Sequence, residues 1–100
     1  METTDRNNPG IKYGINETPV PQNPAYLVLS QEERAKGFVR PYRRSYWHKT
    51  CAMVTTMSQA IAETYARNPK FYGATYCVTC QMHRPVAEFF WEGTQEEVGS

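Results

Sequence analysis

Two residue pairs with the same spacing constrain this chain more than any other feature of its sequence. His48 and Cys51 are separated by two residues, as are Cys77 and Cys80, and together the pairs contain all three cysteines of the chain. A two-residue spacer allows one tight turn to direct both ligand atoms at a single ion, and zinc takes four such ligands at tetrahedral angles. The sequence therefore predicts a zinc site formed by His48, Cys51, Cys77 and Cys80.

The cysteines also admit two other interpretations. Cys77-x-x-Cys80 alone has the spacing of thioredoxin-like redox pairs, although the βαβ context of that fold is not apparent. Cysteines are also often small buried hydrophobic residues. Three cysteines cannot all pair within one chain, which argues against a disulfide-built secreted fold. A reducing cytosol is the expected setting, and there such a cluster more often binds metal.

The fourth ligand has an alternative in His83, which also lies two residues beyond a cysteine, Cys80. His48 is favoured because two separate turns give better tetrahedral angles than three ligands taken from one loop.

A zinc ion with four protein ligands has a structural role, since catalytic sites usually keep one position open. The zinc deaminase signature is the nearest enzyme pattern, and the sequence departs from it twice. Thr50 stands where the catalytic glutamate is needed, and Tyr76 replaces the proline before Cys77. The sequence predicts no catalytic residues and a non-enzymatic protein.

The predicted fold class is α+β, a small zinc-ribbon or zinc-knuckle-like domain with one central helix and a C-terminal β-hairpin. Residues 1–25 contain four of the seven prolines and are expected to form an extended or disordered Asn/Pro-rich arm. The alternative is that this arm becomes ordered against a partner. Residues 26–92 form the zinc-binding domain, and residues 93–100 an acidic tail expected to fray.

Capping patterns place two helices in the zinc-binding domain. Ser30 and Glu33 have the spacing of a capping box, which predicts a short helix over 31–36. A second start at Thr56 predicts a helix of 10–12 residues that ends at Asn68-Pro69. Its Glu63 and Arg67 are spaced for an exposed ion pair. Aromatic and β-branched residues in 71–76 and 86–91 predict the two strands of the hairpin.

A basic segment rich in aromatic residues precedes the first pair. No acidic residue lies between Arg34 and Ala62. Arginine binds phosphate and aromatic rings stack on bases, so this segment indicates binding of single-stranded nucleic acid or a nucleotide. The candidate residues are Arg40, Tyr42, Arg43, Arg44, Tyr46 and Trp47. The alternative is a solvated strand whose aromatic rings belong to the core. The net charge of only +1 argues against duplex DNA as the main target.

No apolar run approaches the roughly 20 residues that cross a bilayer, and residues 1–5 lack the features of a signal peptide, so no membrane partner is expected.

Three stretches carry a resemblance to a known group: Gly37–Pro41, the His48-x-x-Cys51 pair and the run Ala62–Cys77. Over about Leu29–Gly99, the chain resembles small, mostly uncharacterised zinc-binding proteins of tailed bacteriophages and prophages. The resemblance implies phage origin, a place in the host cytoplasm, and His48, Cys51, Cys77 and Cys80 as the matching ligand positions. It also implies a protein that binds a host or phage protein partner. Nucleotide sequestration against host immune signalling and a role in the virion or its assembly are the alternatives.

Overall fold

The computed structural model describes residues 2–100, which form two α-helices and three small β-sheets. The helices are α1 (Gln31–Arg34) and α2 (Gln59–Arg67). The strands are β1 (Glu2–Thr3), β2 (Tyr26–Leu27), β3 (Ser45–His48), β4 (Val54–Thr56), β5 (Ala74–Cys77), β6 (Met82–Pro85) and β7 (Phe89–Trp91). This arrangement confirms the predicted α+β class, with one main helix and an antiparallel strand pair in the C-terminal half.

The main sheet has the strand order β4–β3–β7, and both pairings are antiparallel. Tyr46 at its centre lies opposite Thr55 on one side and Trp91 on the other. Strands β5 and β6 form a separate hairpin, and β1 and β2 form a short parallel pair. The sheet and the hairpin meet where β3 and β5 end, which is where the two pairs of candidate ligands lie.

Helix α2 is shorter than the sequence predicts. Ser58, rather than Thr56, is the N-cap, and its side chain accepts a hydrogen bond from Ile61 N. Thr56 belongs to β4 instead, where its hydroxyl lies 3.0 Å from that of Ser45. The cap of α1 agrees with the prediction, since the Ser30 side chain accepts a hydrogen bond from Glu33 N.

The charged residues of α2 pair with α1 rather than with each other. Glu63 binds Arg34 at 3.0 Å, and Arg67 lies 3.4 Å from Glu33. The predicted exposed pair between Glu63 and Arg67 is therefore replaced by two bridges between the helices. Within residues 2–100, neither helix has the length and apolar character needed to cross a lipid bilayer.

The predicted hairpin has different bounds in the structure. The prediction paired residues 71–76 with 86–91, whereas the observed hairpin pairs Ala74–Cys77 with Met82–Pro85. A 3-10 turn at Val86–Glu88 then redirects the chain, and β7 pairs with β3 of the main sheet. There Phe89 and Trp91 pack edge to face on Tyr46, a favourable arrangement of aromatic rings in the core.

The tail does not fray as predicted. Val98 is 1% exposed and packs in the core, and its N–H donates to Phe89 O at 3.0 Å. Trp91 N donates to Glu96 O at 2.9 Å, so the last residues fold back along β7. Burial of Val98, these backbone hydrogen bonds and the ion pairs of Glu96 and Glu97 hold this short polar segment on the domain.

The N-terminal segment, residues 2–25, lies against the β5–β6 hairpin of the same chain. Asn16 N donates to His83 O at 2.9 Å, and Val20 N donates to Gln81 O at 2.7 Å. The Tyr76 hydroxyl donates to Val20 O at 2.6 Å. The segment has little regular structure, as its prolines require, and it is held by its own domain.

Candidate metal centre

The two ligand pairs lie on two turns with the same backbone geometry. One turn follows β3, where Ala52 N donates to His48 O at 2.7 Å. The other follows β5, where Gln81 N donates to Cys77 O, also at 2.7 Å. Ala52 and Gln81, each directly after a cysteine, have left-handed φ angles of 56° and 57°. The repeated spacing of the sequence thus becomes a repeated turn, and each turn presents two ligand atoms.

All four predicted ligands come together in one cluster. The candidate ligand atoms of His48, Cys51, Cys77 and Cys80 lie within 4.8 Å of one another. His48 Nδ1 is 3.6 Å from Cys51 Sγ and 3.4 Å from Cys80 Sγ, and the Sγ atoms of Cys51 and Cys77 are 3.6 Å apart. Four such residues can hold a metal ion.

These distances fit a tetrahedral ion. Metal–sulfur and metal–nitrogen bonds of about 2.3 Å and 2.0 Å at tetrahedral angles place two sulfurs about 3.8 Å apart and a sulfur and a nitrogen about 3.5 Å apart. The observed sulfur–sulfur distance of 3.6 Å and sulfur–nitrogen distances of 3.4 and 3.6 Å are close to both values. Disulfide bonds require sulfurs about 2.05 Å apart, and all three cysteines are free.

The surroundings of Cys80 disfavour its charged form unless a cation is bound. Burial, followed by hydrogen bonds with the thiols of Cys77 and Cys51, raises the pKa of Cys80 to about 12 in the protein without an ion. A bound cation reverses this effect, because it stabilises thiolates directly. Cys80 N also donates to Cys77 Sγ at 3.4 Å, a contact that supports negative charge on that sulfur.

A carboxylate outside the cluster orients the histidine. Hydrogen bonds from Arg84, followed by one from His48, lower the pKa of Glu88, so Glu88 is an ionised acceptor. Its Oε1 lies 2.8 Å from His48 Nε2, which therefore carries the ring proton and leaves Nδ1 free to face the sulfurs. Phe89 stacks on the imidazole at 4.5 Å and holds its plane. Metal-binding histidines commonly have such a carboxylate partner.

Sequence reasoning did not identify Glu88. It lies 40 residues from His48 and belongs to no ligand pattern. The only local signal is that Arg84 and Glu88 are four residues apart, which indicates an ion pair and nothing about a histidine.

His83, the alternative fourth ligand, lies outside the cluster. Its Nε2 is 3.0 Å from the Tyr26 hydroxyl, and its Nδ1 is 2.8 Å from Asn16 Oδ1. Burial lowers the pKa of His83, which favours the neutral ring in these contacts. Both ring nitrogens are thus used, one with Asn16 of the N-terminal segment and one with Tyr26 of β2, and His48 is the histidine that lies in the cluster.

The basic aromatic segment is used largely inside the fold. Tyr46 is buried in the core. Arg43 lies over the Trp91 ring at 4.8 Å and binds Glu96 at 3.1 Å, and Arg44 Nε donates to Met57 O at 3.0 Å. These three residues therefore do not form one surface for bases and phosphates.

Of the other three candidates, Arg40 and Tyr42 are exposed, as Arg44 is, and Trp47 is half-buried. Tyr42 is exposed and meets Phe38 edge to face at 6.4 Å, and the exposed Arg40 donates from Nε to Ser100 O at 3.3 Å. Trp47 lies on the outer face of the main sheet, with its ring centroid 5.2 Å from that of Phe90.

Replacement of Glu88 by alanine is expected to weaken metal binding about 10- to 100-fold, because the imidazole loses the acceptor that fixes its proton on Nε2. Competition with a chromophoric chelator measures the change. Glu92→Ala removes an exposed glutamate nearby in sequence and is expected to leave affinity unchanged. Equal affinities for the two variants would contradict a role for Glu88 in orienting His48.

Comparisons of the chain with protein families, with curated proteins and with solved structures found no match. The chemistry of the site is therefore judged from its own residues.

Proposed function

We propose that this chain is a non-enzymatic binding module, held together by a structural zinc ion, that binds a host or phage protein partner. The observation that carries the proposal is the four-residue donor set of His48, Cys51, Cys77 and Cys80. These residues supply four ligands to one ion and leave no position for a substrate or an activated water.

Zinc is the ion that suits these donors best. Three thiolates and one imidazole are soft to borderline ligands, and tetrahedral sulfur-rich sites select zinc or iron–sulfur clusters. The sulfur–sulfur distance of Cys51 and Cys77 and the two sulfur–nitrogen distances from His48 fit one ion with tetrahedral angles. Calcium and magnesium prefer oxygen ligands, so they do not suit this donor set.

The outer face of the main sheet supports a protein partner. Val54, Trp47 and Phe90 form one cross-strand row on this face, since Trp47 pairs with Val54 on one side and Phe90 on the other. Val54 is 44% exposed and its neighbour Met53 is 52% exposed. Apolar and aromatic side chains grouped in this way are typical of the centre of a protein interface. The partner is expected to present apolar side chains to this row.

A protein partner is favoured over single-stranded nucleic acid by the use of the basic segment inside the fold. Tyr46 is buried, Arg43 pairs with Glu96, and the exposed Arg44 donates one hydrogen bond to Met57 O, so part of the segment is engaged within the fold. A virion or assembly role through the N-terminal segment is also less favoured. That segment binds its own hairpin rather than extending towards a neighbouring subunit.

The test compares capture of protein from a lysate of phage-infected bacteria by wild type and by Val54→Lys. A lysine at the centre of an apolar interface is expected to reduce the captured amount at least about tenfold, because its charge loses water on binding. Tyr42→Ser, which removes an exposed aromatic ring elsewhere, is the matched control and should capture as wild type does. Equal capture by wild type and Val54→Lys would contradict the assigned surface. Salt-dependent binding of a single-stranded oligonucleotide, with no protein captured, would favour the nucleic-acid alternative.

A further inference from the structure

A second feature of the molecule, separate from the metal centre, is a cavity of about 150 Å³ between α2, the β5–β6 hairpin and β2. Five tyrosines line it, together with His83, and the apolar side chains of Met57 and Ile61 form part of its wall. The exposed Glu2 and Gln22 also line it, so that solvent has access from the side of the N-terminal segment.

Four of the five tyrosine hydroxyls are used within the fold. Tyr72 donates to Leu27 O and Tyr76 donates to Val20 O, each at 2.6 Å. Tyr46 donates to Tyr76 O and accepts from Thr75, and Tyr26 lies 3.0 Å from His83 Nε2. These hydroxyls fix the walls of the cavity and have little left to offer to a ligand.

The fifth hydroxyl, that of Tyr65, has no hydrogen-bond partner among residues 2–100. Tyr65 is only 3% exposed, and Thr75, the neighbouring hydroxyl, donates to Tyr46. A buried hydroxyl left unpaired is unfavourable by about 1–3 kcal/mol, so such groups are rare unless something occupies the site. Tyr65 thus stands out as an unused donor at the wall of a preformed cavity.

We propose that this cavity binds a small neutral heteroaromatic ring that accepts a hydrogen bond from the Tyr65 hydroxyl. The size fits, because an apolar protein cavity of about 150 Å³ holds one benzene molecule. The walls fit a flat ring, since tyrosine faces and edges pack on aromatic ligands. An anionic ligand is disfavoured, because Glu2 is among the lining residues and carries the same sign of charge.

The pKa shifts agree with a cavity whose inner wall solvates charge poorly. Burial raises the pKa of Tyr65, and burial lowers that of His83. Each shift favours the neutral form of the group, as expected where charge is poorly solvated.

The test uses pyridine and benzene as probes, since they have nearly the same shape and only pyridine accepts a hydrogen bond. At slightly alkaline pH, where pyridine is neutral, titration of the zinc-loaded full chain followed by NMR is expected to show tighter binding of pyridine. Tyr65→Phe is expected to weaken pyridine binding about five- to tenfold and to leave benzene binding unchanged, the effect of one buried hydrogen bond.

Stability provides an independent readout. If the Tyr65 hydroxyl is unpaired in the free protein, Tyr65→Phe should unfold at the same urea concentration as wild type or a higher one. Tyr72→Phe, which removes a hydroxyl that donates to Leu27, is the matched control and should unfold at a lower concentration.

Three results would overturn the proposal. The first is that neither probe binds at millimolar concentration, and the second is that wild type binds both equally. The third is that Tyr65→Phe is destabilised as much as Tyr72→Phe and binds pyridine normally, which would mean that water permanently satisfies the Tyr65 hydroxyl.

Discussion

Removal of the proposed zinc ion by a strong chelator is expected to unfold this domain. Binding of structural zinc contributes about 10–16 kcal/mol in small zinc domains, whereas a domain of this size has a free energy of unfolding of only about 5–15 kcal/mol. The ligands join the end of β3 to the end of β5, and Cys77 is fully buried in the core. Without the ion, the main sheet and the hairpin lose the link between them, and buried thiols and an imidazole lose their shared partner.

Circular dichroism during thermal unfolding measures this effect. The zinc-loaded protein should give one cooperative transition, and the chelated protein should give none, with the signal recovered when zinc is added back. Chelator already saturated with zinc is the control for effects of the chelator itself. A transition that is unchanged by excess free chelator would show that the fold does not depend on a metal.

The second large effect is expected from Cys77→Ser. Cys77 is 0% exposed, its sulfur lies 3.6 Å from that of Cys51, and Cys80 N donates to it. Serine keeps the size but replaces a good zinc ligand by a poor one and leaves a hydroxyl in an apolar setting. The variant should lose the bound metal and most of its folded population, measured as metal per chain and as ellipticity.

His83→Ala is the matched control for the histidine assignment, with His48→Ala as its counterpart. His48→Ala should lose metal in the same way as Cys77→Ser. His83→Ala should keep one metal per chain, although loss of its contacts with Tyr26 and Asn16 should lower the free energy of unfolding by about 1–3 kcal/mol. The reverse pattern, with metal kept by His48→Ala and lost by His83→Ala, would identify His83 as the fourth metal ligand.

The candidate ligands were the most predictable part of the site, because their chemistry and their spacing are both local properties. Two residues between ligands suit a tight turn, and the two turns have the same hydrogen bond in the structure. Glu88 was not predictable, because its role depends on β7 lying beside β3 and on the resulting approach to His48. Pairing between strands that are distant in sequence produces no periodic pattern of residues in a single sequence.

The errors in the fold have a similar cause. The aromatic run 86–91 has high strand propensity, but propensity does not state which strand it pairs with, and β7 joins β3 rather than extending the hairpin. Val98 is a single apolar residue in a polar segment, so no pattern marks its burial. In the N-terminal segment, prolines prevent regular strands, yet Asn16 and Val20 still find backbone partners on the hairpin.

X-ray absorption spectroscopy of the zinc-loaded protein tests the central claim most directly, because it counts the ligand atoms and measures their distances. The proposed site predicts three sulfurs at about 2.3 Å and one nitrogen at about 2.0–2.1 Å, with no oxygen bound. Two sulfurs with a water oxygen in the first shell, or a metal bound only by nitrogen and oxygen, would contradict a closed centre formed by His48, Cys51, Cys77 and Cys80.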